Sequence, residues 1–303
     1  VDLSLLGTES PHSGTGDLDR MPVSDLLATM NDEDGAAVRA VRAVLPAVGS
    51  AVELIAASLR QGGRLVYLGA GTSGRIGMLD AVECPPTFGT DPAQVVTLLA
   101  GGPGAFTTAV EGAEDDPQGA VVGLDALGVG ARDTVVGLAA SGRTPYVVGG
   151  LRHARSLGAS TVSVACNPRA PISAHADVAI EVVTGPEVLT GSTRLKAGTA
   201  QKLVCNMLST AAMVRIGKVY GNLMVDLRPT NDKLRDRARR IVAEAAHTDL
   251  DSAERALAAA DGHAKTAIIM LLTRCDAAQA EALLSGSEGD VRTAVAAAPA
   301  DRT

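Results

Sequence analysis

The 303-residue sequence predicts an α/β fold: a parallel sheet flanked by helices, followed by a small helical C-terminal domain. Three observations carry this. Five short β-branched runs alternate mostly with segments long enough for a helix, glycine-rich loops follow the first and third runs, and the chain past about residue 240 is alanine-rich with helical breaks. Parallel neighbours need crossovers of that length, and a sheet with helices on both faces buries its strands as near-continuous apolar runs.

Residues 1–31 are rich in Gly, Ser, Pro, Asp and Thr, and read as an extended or poorly ordered N-terminal arm. From Asp32 to Leu59, Val38, Val41, Leu45, Val48, Val52, Leu54 and Ile55 recur near helical spacing, with Pro46 breaking the run into two helices. Strands are expected at Arg64 to Gly69, Gln94 to Leu99, Thr134 to Ala139, Ser160 to Ala165 and Asp177 to Val183. In such sheets ligands sit beyond the carboxyl ends of the strands, so the loops starting at Gly69, Ala100, Ala139 and Cys166 are the ones that matter. Thr193 to Ile216 reads as a long amphipathic helix with a stripe of Ala200, Leu203, Val204, Met207, Leu208, Ala211 and Val214, packed on the sheet or on a second subunit. After the polar stretch Arg228 to Asp232 the chain is helical, with breaks at Asp261-Gly262 and Gly286 that suggest a three-helix, ubiquitin-associated-like bundle. The division is an arm (1–31), a ligand-binding α/β domain with its leading helices (32–236) and a helical domain (237–303).

The net charge of -7 and the lack of a Lys/Arg-rich run oppose nucleic-acid binding. Only five residues are aromatic (Tyr67, Phe88, Phe106, Tyr146, Tyr220), so a sugar would be held by hydrogen bonds rather than by stacking. The four cysteines are widely spaced and the five histidines lack ligand spacing, which points to no metal site and to a reducing, cytoplasmic setting. No export signal or membrane span is read from the sequence.

The first run ends in Gly69-Ala70-Gly71-Thr72-Ser73-Gly74-Arg75 and opens into an apolar helix. Glycines admit an anion to the backbone, and the helix N-terminus and two hydroxyls supply donors. The same residues fit G-x-G-x-x-G, but the second run ends Leu98-Leu99-Ala100-Gly101-Gly102 without the acid that a dinucleotide ribose needs. A second hydroxyl-and-glycine loop, Ala139-Ala140-Ser141-Gly142-Arg143-Thr144-Pro145, follows the third run. The pair suggests a phosphate monoester, since neither loop carries a Walker lysine.

Glu83, before Pro85 and Pro86 that should end the first helix, and Glu114 are candidate acids. Pattern alone does not rank them above Asp80, Glu111, Asp115 or Asp116. In Gly185 to Lys202, Thr190, Ser192 or Thr193 can cap the long helix. Arg194 and Lys196 oppose the helix dipole there, so a ligand phosphate or a carboxylate such as Glu187 should face them.

These stretches, with Glu83-Cys84-Pro85-Pro86-Thr87, Glu111 to Asp115 and Lys218 to Asp226, resemble the bacterial N-acetylmuramic acid 6-phosphate etherases from about residue 17 onward. Gly185 to Lys202 is also similar to a signature of glucokinase regulatory protein. The resemblance implies a sugar isomerase (SIS) fold, a homodimer, an amino-sugar phosphate substrate, and lactyl ether cleavage with no metal or redox cofactor. It implies catalytic roles for Glu83 and Glu114. The two hydroxyl loops themselves predict substrate contacts from Gly71, Thr72, Ser73, Ser141, Gly142, Arg143 and Thr144, with the 6-phosphate on Ser73 and Ser141, and the third stretch predicts them from Ser192, Arg194 and Lys196. The chain departs from the family at Thr8-Glu9-Ser10-Pro11-His12, where the family usually reads Thr-Glu-x-Arg-Asn. A sugar-phosphate isomerase or a non-catalytic sugar-phosphate sensor are the alternatives; lactate production separates them from an etherase.

Overall fold

The computed structural model describes residues 6–227 and 232–299. Of the polar stretch Arg228 to Asp232, only Asp232 lies among them. The chain forms two compact units, one comprising the chain to Val82 with Ala93–Ser209, the other Glu83–Pro92 with the chain from Thr210.

The first unit is built on a five-stranded parallel sheet in the order β2-β1-β3-β4-β5, with β1 Leu65–Gly69, β2 Val95–Leu99, β3 Thr134–Leu138, β4 Ser160–Ala165 and β5 Val178–Glu181. All five expected strands are present. Residue alternation sorts the two faces of β1. Val66 and Leu68 enter a core with Leu124 of α4 (Pro117–Leu127) and with Val147 and Leu151 of α5 (Pro145–Ser156). Tyr67 points the other way, towards Asp80 of α3 (Gly71–Phe88) and the Cys205 carbonyl of α6 (Lys196–Arg215). Burying Tyr67 completely is tolerable because its hydroxyl donates to both.

Ahead of the sheet come α1 (Val23–Ala43) and α2 (Leu45–Arg60), bent by 64°. The break falls at Val44, with Pro46 in the first turn of α2, where its missing N–H costs nothing. Helix α1 begins at Val23, ahead of the expected Asp32. Pro22, at φ -54, leads into it, and its first turns are polar enough to hide from an apolar-period reading. Among the described residues of the arm before it, the chain is tied down at Thr8, which is completely buried.

Two further expectations are corrected. Helix α3 runs through Pro85 and Pro86 to Phe88, so Glu83 sits within a helix rather than at its end. The stop comes from Gly89, in the left-handed region at φ 62, whose N–H reaches the Pro85 carbonyl. Helix α6 begins at Lys196, not Thr193, because its first N–H groups are taken by a carboxylate rather than by a preceding hydroxyl.

In the second unit the described residues past Asp232 form five helices, not three: α7 Asp232–Ala246, α8 Leu250–Ala259, α9 Ala264–Thr273, α10 Ala277–Gly286 and α11 Val291–Ala297. The extra breaks are at His247 and Arg274, both in the left-handed region (φ 52 and 56), each followed by an aspartate cap, Asp249 or Asp276. Their core is Ile241, Val242, Ala253, Ala267, Ile268, Val291 and Ala294. Lys265, nearly buried, is held by Asp226 at 2.6 Å and by the Gly289 carbonyl at 2.9 Å.

Candidate active site

Three neighbouring strand ends, β2, β1 and β3, carry the loops that matter. The β1 loop is shaped by close backbone approach: a Cβ on Gly74 would stand 2.6 Å from the Gly69 carbonyl oxygen, so only glycine lets the helix start directly over the strand. Thr72 and Ser73 fall in the first turn of α3, where free N–H groups and the dipole favour an anion. In the β3 loop Gly142 adopts φ 75, and a Cβ there would meet Ala170 at 2.4 Å. Ser141 Oγ accepts the Arg143 N–H at 3.3 Å, which leaves the hydroxyl proton available to a ligand.

Helix α6 ties these loops together. Ala197 packs with Ala140 of the β3 loop and Cys166 at the end of β4, while a Cβ on Gly198 would lie 3.6 Å from Thr72. Further along, Ser73 Oγ donates to Gln201 Oε1 at 2.8 Å. Both residues are buried, and Gln201 Nε2 has no acceptor among the described residues. A buried donor of this kind costs about 1–3 kcal/mol. One terminal nitrogen of Arg143, Nη1, is likewise buried without an acceptor among them.

The N-terminus of α6 meets a carboxylate, one of the two outcomes that its basic first turn required. Glu187, 1% exposed, accepts the N–H groups of Lys196 (3.2 Å) and Ala197 (2.9 Å). Burial pushes its carboxyl above the usual range even so, with the α6 amides and Lys196 pulling the other way. The Lys196 ammonium, almost fully buried, is bonded to Glu33 of α1, which also faces His12 at 3.2 Å. Partial burial raises Glu33, but Lys196 and His12 outweigh it and the carboxyl titrates below its ordinary value. Lys196 is thus engaged by protein, whereas Arg194 is exposed and, with Glu33, Asp34, Glu187 and Thr199, lines a cavity of about 180 Å³. Ser192 sits in the turn before it, its N–H on the Leu189 carbonyl.

The two candidate catalytic acids differ from Asp80, Glu33 and Glu187, and share their exposure and lack of side-chain partners among the described residues with Glu111 and Asp115. Glu83 on α3 and Glu114 on a 3-10 turn (Ala113–Asp115) after β2 are exposed and make no side-chain hydrogen bond or ion pair among the described residues. Glu114 shares the first unit with the two loops; Glu83 opens the second. Asp80, one turn before Glu83, accepts from Tyr67 Oη (2.8 Å), Asn206 Nδ2 (2.7 Å) and Ser209 Oγ (3.0 Å), and burial raises its pKa despite these donors and Lys202. Cys166 is no nucleophile: burial and the neighbouring Glu187 carboxylate push its thiol up to about 12.

Reading the sequence missed three supports. Arg75 donates to the Ala105 and Phe106 carbonyls and so fixes the chain between β2 and Glu114. Asn167 donates to Thr8 Oγ1 (2.9 Å) and to the Ala140 and Ser141 carbonyls, lashing the arm to the β3 loop. Gln201 is the third. Asn167 follows directly on a strand end, where the rule for parallel sheets places ligand loops, and that signal was readable.

Family models place this parallel sheet, with its glycine-and-hydroxyl loops, in the class of sugar isomerase (SIS) domains. Residues 47–155 match the glucokinase regulatory protein N-terminal SIS domain and residues 124–211 the SIS domain. The chain is 69% identical to an N-acetylmuramic acid 6-phosphate etherase of Mycolicibacterium smegmatis, over 98% of this chain and 100% of that protein. It is 56% identical to one of Streptomyces coelicolor, over 98% and 95%. A phosphoheptose isomerase structure from Francisella tularensis aligns with 64% of this chain and 98% of its own at 16% identity and a TM-score of 0.48. The chain belongs to the N-acetylmuramic acid 6-phosphate etherase family.

Proposed function

We propose that this protein cleaves the D-lactyl ether of N-acetylmuramic acid 6-phosphate, giving N-acetylglucosamine 6-phosphate and D-lactate. The carrying observation is the near-complete alignment at 69% identity with an etherase. Its chemistry is consistent with the residues available. In the open-chain sugar the C1 aldehyde acidifies the C2 proton. Glu114 removes that proton while Glu83 protonates the departing lactyl oxygen at C3; water then adds to the enal at C3. Exposed carboxyls with no side-chain partner among the described residues suit this exchange of protons, since each must change charge during turnover. Ser73 and Ser141 hold the 6-phosphate with Thr72, Thr144 and the loop residues Gly71, Gly142 and Arg143, while Ser192 and Arg194 face the sugar. Lys196 also serves the substrate, from its ion pair with Glu33.

The finer reading is a cytoplasmic homodimer acting in cell-wall sugar recycling, with residues 32–236 binding the sugar phosphate and 237–303 appended. Support for a dimer comes from side chains left uncovered: Leu79 and Val82 of α3 and Met207 and Val214 of α6 are exposed, while Ala200, Val204 and Leu208 of the same α6 stripe are buried. The deciding assay couples D-lactate release to a lactate dehydrogenase. Isomerised sugar phosphate without lactate, or tight binding without turnover, overturns the proposal.

A further inference from the structure

The seryl hydroxyls of the two phosphate loops are set in opposite senses. Ser141 Oγ accepts a hydrogen bond from the Arg143 N–H and keeps its proton for a ligand, whereas Ser73 spends its proton on Gln201 Oε1. A phosphate dianion only accepts hydrogen bonds, so Ser73 arranged in this way offers it a lone pair and not a donor. The orphan on Gln201 indicates the remedy. Its Nε2 is buried without an acceptor among the described residues, and the amide's oxygen and nitrogen ends have nearly the same shape. Half a turn of the amide places Nε2 on Ser73 Oγ as donor, and the Ser73 proton is then free. An acceptor-only carbonyl replaces the buried N–H₂.

We propose that Gln201 is a positioning residue for substrate phosphate: by donating from Nε2 to Ser73 Oγ it makes Ser73 a hydrogen-bond donor, matching Ser141. It acts through Ser73 and touches no reacting atom. The inference rests on the reading of Ser73 as a phosphate ligand. It gives Gln201 a role in KM and in phosphate affinity, with little in the elimination step. Because Gln201 is fully buried on α6, its amide is shielded from water and its orientation is set by Ser73 and the phosphate.

The test uses the full chain with Ser73→Ala, Gln201→Glu, Gln201→Met and the double variant Ser73→Ala/Gln201→Met, measuring lactate release and calorimetric binding of inorganic phosphate. Gln201→Glu, an acceptor when ionised, should raise KM at least tenfold at pH 8 with kcat within about twofold. Relative to wild type at each pH, its KM should recover as the pH is lowered, because a protonated carboxyl can donate to Ser73. Gln201→Met, volume-matched and unable to donate, should raise KM severalfold with no such recovery, and it decides the matter if the glutamate variant does not fold. The double variant should be no worse than Ser73→Ala alone. Unchanged KM and phosphate affinity in Ser73→Ala removes the phosphate reading itself. A raised KM in Ser73→Ala with wild-type values in Gln201→Met, or additive losses in the double variant, overturns the role of Gln201 alone.

Discussion

Asp80 and Glu83 lie one turn apart on the same helix and have opposite situations. Asp80 is buried and saturated by three donors, whereas Glu83 is exposed and has no side-chain partner among the described residues. The same division runs through the first unit, where Glu187, Glu33 and Asp133 are committed to the fold and Glu114 is not. A carboxylate already serving three donors cannot take up and release protons without disturbing the packing around it. An uncommitted one can, and that separates acids that hold the molecule from acids available to a substrate.

The strongest way to break this division is to remove charge from each kind. Glu83→Gln and Glu114→Gln should each lower lactate release by about 10² to 10⁴ while leaving the thermal midpoint nearly unchanged. They should fail differently: Glu83→Gln should still exchange the C2 proton with deuterated solvent, and Glu114→Gln should lose exchange and release together. Reversed outcomes swap the two roles. Near-normal release from either variant would falsify its catalytic assignment.

Asp80→Asn is the matching control on the committed side. Tyr67, Asn206 and Ser209 all donate to Asp80, and an amide offers them one acceptor oxygen, so stability should change while kcat per folded molecule holds. A kcat loss as large as that of Glu83→Gln means the site is built around a different carboxylate pair. The pH dependence adds a signed check. Burial raises Asp80 in the folded state, so its contribution to stability declines as pH rises from the unfolded value near about 3.9 through the folded one. Asp133 is the reverse: burial opposes it, but Arg64 and the Gly130 N–H win and lower its pKa. Its contribution is present above the unfolded value and is lost as pH falls through the folded one. In urea titrations across this range, Asp80→Asn should flatten the decline towards neutral pH, and Asp133→Asn should flatten the loss in acid.

How much of this was legible follows from where the information lies. The strands were readable because β-branched runs between helix-length crossovers have few other solutions, and the two glycine-and-hydroxyl loops because such residues at strand ends are a local pattern. Helix α3 misled because prolines mark a stop only when nothing else carries the helix on, and the second unit because left-handed His247 and Arg274 stand where glycine would normally signal a break. The aspartate caps after them, with Asp276 and Gln279 forming a capping box, were the signal to read. Glu83 and Glu114 were chosen by family resemblance, since exposure and lack of partners are not properties of a residue's spacing. Asn167 and Gln201 act across chain separations that periodicity does not span.

Within the two glycine-and-hydroxyl loops, proposed to hold the phosphate, the division takes a milder form. Ser141→Ala should raise KM by the loss of a charge-assisted hydrogen bond of roughly 1 to 3 kcal/mol, with kcat little changed. An unchanged KM for the phosphorylated substrate counts against that loop as the phosphate site.

The smallest expected effect lies furthest from the chemistry. The β1 loop is held by α3 and by Gln201 of α6, whereas the β3 loop is held by Asn167, which also grips Thr8 of the arm. Thr8→Val keeps the volume and the backbone N–H to Asn167 Oδ1 but removes the Oγ1 acceptor at 2.9 Å. Asn167 Nδ2 still has the Ala140 and Ser141 carbonyls, so no donor is orphaned and the cost should be only about 0.5–1.5 kcal/mol. If the arm helps set the β3 loop, part of that loss should appear as a two- to threefold rise in KM with kcat unchanged. A lower melting temperature with wild-type KM shows instead that Asn167 alone positions Ser141 and that the arm serves only to cover it. The departure of this chain at Ser10-Pro11-His12 leaves Thr8 itself in place, so the outcome bears directly on what the arm contributes.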